Sequence, residues 1–192
     1  MPRNRLLRVL GLIGLGAALG AMGLIASVEF NRRTSTEAFC ASCHSMNRLA
    51  SDPNFQESAH RKNSAGVLVS CGDCHIPKTN WFVETSTHVV SGVRDVIAEF
   101  RNNFEDTSVW EARRIVLAHE VRGLMRKEDS ITCRGCHDAT KIEPRSDRGR
   151  AAHALLADAG MTCIDCHFNI VHVPVPPSFE FIRGSRLGGT RK

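Results

Sequence analysis

All eight cysteines of the chain fall in four copies of one string, Cys-x-x-Cys-His: Cys40-Ala-Ser-Cys43-His44, Cys71-Gly-Asp-Cys74-His75, Cys133-Arg-Gly-Cys136-His137 and Cys163-Ile-Asp-Cys166-His167. The string is the attachment signature of haem c, in which two thiols add to the porphyrin vinyl groups and the adjacent histidine reaches the iron from one side. Four covalently bound haem c groups are therefore expected. Zinc sites also use paired cysteines, but four ligands complete such a site and none need be a histidine directly after each pair. Disulfides would suit an exported domain, yet they give no reason for four adjacent histidines.

Cofactors of that size would dominate so small a chain. It has 192 residues, no Tyr, two Trp and 6% aromatics, so flat apolar porphyrins are expected to provide buried surface that side chains do not. No apolar-polar alternation points to a sheet. The expected fold is mainly α with long loops, a small multihaem domain organised around its four haems. The formal charge of +5 would be offset by haem propionates, and the dispersed basic residues, without interleaved aromatics, give no nucleic-acid site.

The motifs begin at intervals of 31, 62 and 30 residues, two close pairs separated by a longer insert, which suggests two dihaem halves. His60 follows Cys40 by twenty residues and His153 follows Cys133 by twenty, in the contexts Ser58-Ala59-His60 and Ala151-Ala152-His153. Equal placement predicts equal roles. In the insert, Val83 to Phe100 reads as one helix. Ser108 and Glu111 form a capping box for a second helix to about Lys127, with Trp110, Leu117, Val121 and Leu124 on its apolar face.

From Val9 to Val28 there are twenty residues without a charge, enough to cross roughly 30 Å of hydrocarbon as one helix. Arg3, Arg5 and Arg8 before it favour a cytoplasmic amino terminus, against Arg32 and Arg33 beyond it. The run exceeds the ~7–15 apolar residues of a cleaved signal peptide, so a retained anchor is the preferred reading. Haem c is expected to be attached outside the cytoplasmic membrane. The expected order is a basic cytoplasmic segment (1–8), a transmembrane helix (9–29), a periplasmic tetrahaem domain (30–177) and a mobile tail (178–192). This is a single-pass protein of the inner membrane in contact with lipid. Gly16 and Gly20 would admit a second helix, as in a homodimer, although so Gly-rich a segment produces such a pair by chance as readily.

Besides the motif residues His44, His75, His137 and His167, five histidines are candidates for the opposite face of an iron: His60, His88, His119, His153 and His172. His60 and His153 lead by the repeat, and His172 follows because it lies five residues past the fourth motif. His119 reads as an ordinary helix histidine. Met46, two residues after His44, could bind the first iron in its place, and a thioether there would raise that haem's potential. His88 and Asp95 are seven residues apart and share a helix face, with Ser91 and Gly92 between them. A histidine near neutral pKa could take a proton released by quinol oxidation, with the carboxylate orienting it or passing the proton on. A plain polar stripe explains that pattern equally well.

The sequence resembles the NapC/NirT family of membrane-anchored tetrahaem quinol dehydrogenases, which includes the NrfH and CymA types, from the anchor to about Pro177. The marks are Thr36-Glu37-Ala38-Phe39 before Cys40, the first motif with Met46, and Glu57-Ser58-Ala59-His60. They continue with Ser64-Ala65-Gly66-Val67, Asp73-Cys74-His75-Ile76-Pro77 and Thr162-Cys163-Ile164-Asp165-Cys166-His167. The resemblance implies a first haem near the membrane surface with Met46 rather than His44 on its iron, Asp95 over its open face and His88 as the basic residue of a quinol site. It also implies distal roles for His60, His153 and His172, with His60 on the fourth haem and the other two shared between the second and third. Lys78 stands where some relatives have a histidine.

The function expected is a quinol dehydrogenase that passes electrons to a periplasmic reductase or other soluble redox protein in anaerobic or nitrogen-oxide respiration. The alternatives are a quinone reductase fed by a periplasmic oxidase of the hydroxylamine-oxidising kind, and a tethered relay with no quinone site.

Overall fold

The computed structural model describes residues 3–186 and contains helices and loops, with no strand among the described residues. The longest element, α1 (Arg3–Thr34), has 32 residues. At 1.5 Å per residue it is about 48 Å long and overshoots a bilayer's apolar core. It is the one described helix long and apolar enough to cross a membrane, and none of its most apolar stretch is buried within the protein.

Beyond α1 come α2 (Glu37–Cys40), α3 (His44–Ala50), α4 (Pro53–Gln56) and α5 (Cys71–His75). They precede the two long helices α6 (Trp81–Arg101) and α7 (Thr107–Lys127). The chain then forms α8 (Ile131–Arg134), α9 (Asp147–Ala159), α10 (Cys163–Cys166) and α11 (Phe179–Arg186). The start of α6 lies against the end of α1, where Asn31 Nδ2 donates to Thr85 Oγ1 at 2.8 Å. On the other side, α7 packs against α10 and α11.

Two sequence expectations for α7 are corrected here. The N-cap of α7 is Asp106, which accepts from the backbone N–H groups of Ser108 at 2.8 Å and Val109 at 3.4 Å. Glu111 instead pairs with Arg114. The inward face of α7 matches the expected apolar stripe only in part: Trp110 is buried and Leu117 and Val121 are half-buried, but Leu124 is 52% exposed and Arg122 is buried in its stead. The reason is the segment after the fourth motif, which offers backbone carbonyls to α7. Arg114 donates to Val173 O, Arg122 to Val175 O and Arg126 to Phe181 O. Within the segment expected as a tail, Phe179–Arg186 is helical, with Phe181 buried beneath Arg126 at 3.8 Å from ring centre to guanidinium carbon. The remainder of the expected tail, 187–192, lies outside the described residues.

The core is thin. Buried apolar side chains among the described residues are Ala50, Phe55, Phe104, Trp110, Ile164, Val175 and Phe181. So few cannot hold a domain of this size by side-chain burial alone, and covalent cofactors with large apolar faces would make good the deficit.

Candidate haem sites and a candidate quinol site

Local capping chemistry fixes the motifs. In the second, the Ser70 backbone N–H and Oγ both donate to Asp73 Oδ2, at 2.9 and 2.8 Å. In the fourth, Thr162 N–H and Oγ1 donate to Asp165 Oδ2 at 2.7 and 3.1 Å. Each carboxylate closes a capping box over a single helical turn, so the two cysteines three residues apart point to one side. Lys78 Nζ reaches Asp73 at 2.7 Å, and Arg126 Nε reaches Asp165 at 2.5 Å. Burial would raise both carboxyl pKa values, but these hydrogen bonds outweigh it and hold them below the usual carboxylate range. In sequence the role is signalled by Ser/Thr-x-x-Asp across a motif's first cysteine.

The histidines are set in facing pairs. Ring centres of His75 and His172 are 6.2 Å apart, those of His60 and His137 6.1 Å, and those of His153 and His167 6.0 Å. Two imidazoles bound to opposite faces of one metal ion through bonds of about 2.0 Å place their ring centres about 6 Å apart. Each pair joins one motif histidine to one histidine outside the motifs, which is the donor set of a bis-histidine haem. The residues present therefore fit the group.

The pairing departs from one expectation. His60 stands against His137 of the third motif, not His167 of the fourth, and so crosses from one half of the sequence to the other. His153 stays within its half, against His167. His172 faces His75 of the second motif, with the ring of buried Phe55 stacked on it at 6.1 Å. Equal placement did not bring equal partners, because His60 lies in turns after α4 that reach His137, whereas His153 is carried on α9. His119 is set against no motif histidine, and its Nδ1 is buried without a partner among the described residues.

The motifs follow one another in space as they do in sequence. Cys40 and Cys71 lie within electrostatic reach of each other, as do Cys74 and both Cys133 and Cys136, and Cys133 and Cys163. Both halves are joined alike, through the residue after the first cysteine of the later motif. A Cβ on Gly72 would meet Ser35 O at 2.8 Å, and Ile164 N–H donates to buried Ser130 Oγ at 3.1 Å. No three His, Cys, Asp or Glu side chains converge as a metal-ion cluster among the described residues.

The first motif differs from the others. His44 is exposed and has no histidine set against it among the described residues. A cavity of about 300 Å³ beside it is lined by Ser42, Cys43, His44, Val96, Glu99 and Phe100. Glu99 accepts from Ser45 N–H at 3.1 Å and from Ser45 Oγ, which ties α6 to the start of α3. Met46 follows on α3, two residues beyond His44 and so on another side of that helix. Asp95 acts electrostatically on Cys43, so it lies near this motif. Burial raises the Asp95 pKa, Arg94 and Arg113 oppose the rise, and Glu99 adds to it.

His88, also on α6, is buried, with Phe30 edge-on at 6.3 Å. Its Nε2 lies 3.0 Å from Ser35 Oγ, which itself donates to Asn31 O at 2.8 Å. The hydroxyl's one hydrogen is thereby used, so His88 Nε2 carries the proton and Nδ1 is the free acceptor. Burial lowers the His88 pKa, Glu84 opposing and Lys78 adding to that effect. A neutral imidazole and a carboxylate with a raised pKa, on one helix beside the first motif, can each take up a proton.

The sequence matches the NapC/NirT cytochrome c family, N-terminal region, over residues 2–177. A probable tetraheme cytochrome c-type protein of Nitrosomonas europaea is 37% identical over 169 residues, 87% of this chain and 70% of that protein. The cytochrome c-type protein TorY of Haemophilus influenzae is 35% identical over 83% of this chain, a stretch that makes up 41% of TorY. The cytochrome c-type protein NapC of the same organism is 32% identical over 85% of this chain and 80% of its own length. No solved structure matches the chain significantly.

Proposed function

The chain belongs to the NapC/NirT cytochrome c family, with four covalently bound haem c groups and one apolar anchor helix, and on that premise we propose that it oxidises membrane quinol. A quinol becomes a quinone by losing two electrons and two protons. The haems, when bound, accept electrons one at a time at iron. The chain's own residues receive the protons and hold the substrate. His88 takes the first at Nδ1, its tautomer set by Ser35, and Asp95 takes the second. The observation that carries the reading is the position of His88, hydrogen-bonded to the residue that follows the last turn of α1 and lying on the same helix as Asp95.

The four motifs would hold the haems in the order Cys40/Cys43, Cys71/Cys74, Cys133/Cys136 and Cys163/Cys166, a row along which electrons could pass outward. The haem domain, 30–177, faces the periplasm, and the last motifs meet a soluble redox partner there. His60, His153 and His172 would hold the irons of the third, fourth and second haems in turn, each together with the motif histidine it is set against, His137, His167 and His75.

Purified holoprotein mixed with a reduced quinol analogue tests the reading. Haem absorbance should report reduction at a rate set by quinol concentration. If all four haems are intact and reducible by dithionite yet quinol leaves them oxidised, the chain is a tethered relay and the proposal is wrong.

A further inference from the structure

We propose that the first turn of α6, carrying Trp81 and Phe82, is embedded in the lipid interface beside α1 and gives the haem domain a second contact with the membrane. This rests on the reading of α1 as the membrane span. Trp81 Nε1 donates to Ser27 Oγ at 3.1 Å, and Ser27 Oγ donates to Leu24 O at 2.7 Å. Ser27 lies inside the uncharged run Val9 to Val28, one residue from its end. The indole is therefore held at the depth where hydrocarbon gives way to headgroups, the layer in which an apolar ring with one N–H donor is most favourable.

Two further contacts fix the direction. Asn31 bonds Thr85 and Ser35 bonds His88, so α1 and α6 run side by side in the same sense for two turns. Trp81 is thus the deepest point of α6, and the helix rises from it away from the bilayer. Phe82 is 71% exposed and Trp81 47%. The turn that carries them is bonded through Trp81 to a helix whose own apolar side chains are open to the same surroundings, so lipid rather than a protein partner is the occupant. Lys78 and Glu84 bracket this turn, and the apolar side chains exposed further along α6, among them Val90, Val93 and Phe100, lie beyond His88 on the part of the helix that has left the bilayer. The consequence of the contact lies at the candidate quinol site, since His88 is seven residues further along α6 and so about 10 Å above Trp81. A wedge at Trp81 holds that histidine at a fixed height over the lipid from which quinol arrives.

The experiment uses full-length holoprotein in phospholipid nanodiscs containing a phosphatidylcholine with a diazirine on one acyl chain. After irradiation and digestion, adducts are located by mass spectrometry. Label is expected on α1 and on fragment 79–94 at Trp81 or Phe82, several-fold above that on Phe179, which is 76% exposed but far along the chain. Label on α1 but not on Trp81 or Phe82, or equal label on Phe82 and Phe179, would each overturn the wedge. Absence of label from α1 itself would instead overturn the anchor.

Discussion

The rings of His75 and His172 are 31° from parallel, whereas those of His60 and His137 cross at 81° and those of His153 and His167 at 86°. Axial imidazoles donate most strongly in a direction set by their ring planes, so crossed planes raise two iron d orbitals equally and near-parallel planes raise one. The oxidised holoprotein is therefore expected to give one rhombic low-spin electron paramagnetic resonance signal, from the second haem, and two strongly anisotropic ones. His172→Ala should convert the rhombic signal alone to high spin. Loss of an anisotropic signal instead would show that His172 serves another haem.

Gly72 is the tightest point between the first two motifs. A Cβ there would lie 2.8 Å from Ser35 O, a backbone atom that cannot rotate away. Gly72→Ala should force the motifs apart at a cost of about 1–3 kcal/mol, typical of overpacking. Because Ser35 also bonds His88, the variant should slow quinol-driven reduction as well as lower the denaturation midpoint. An unchanged midpoint would mean that the two segments are not in contact.

Much of the architecture was readable from the residues, and the failures share a cause. The cysteine strings, the apolar run and the insert helices announce themselves because each depends on local spacing, and α6 and α7 begin and end within a few residues of expectation. Which distal histidine faces which motif depends instead on how loops cross between halves. His60 and His153 have the same offset and similar neighbours, yet one spans the halves and the other does not. The inward face of α7 was misread in part for a similar reason. Its partner is backbone from the carboxy-terminal segment, so arginines were needed where periodicity favoured leucine and valine. Asp73 and Asp165 were legible as capping residues and went unread beside the stronger cysteine signal.

Charge state at His88 sets the pH dependence. Only the neutral imidazole accepts a proton, and its pKa is lowered from the ordinary value of 6.5 by burial, with Glu84 opposing and Lys78 adding. Quinol-driven haem reduction should thus persist somewhat below pH 6.5 and fall away as pH drops through the lowered value. His88→Gln should slow the reaction by about 10²-fold or more and abolish that acid limb, while reduction by dithionite is unaffected. An acid limb that survives in the variant would assign it to another group.

Met46 decides whether the first haem differs chemically from the rest. Three motif histidines have a histidine set against them at about 6 Å, and His44 has none among the described residues, so the first iron lacks the partner that would make it bis-histidine. A thioether ligand in place of His44 favours ferrous iron and would make this haem the first to accept an electron. Met46→Leu keeps the volume of the side chain and removes the sulfur. It should lower the potential of one haem in a redox titration, leave the three bis-histidine signals unchanged and abolish reduction by quinol. His44→Ala should then leave the first haem attached through Cys40 and Cys43 with its spectrum little altered. If His44→Ala instead strips that haem of its axial ligand while Met46→Leu changes nothing, the iron belongs to His44 and the thioether is only packing.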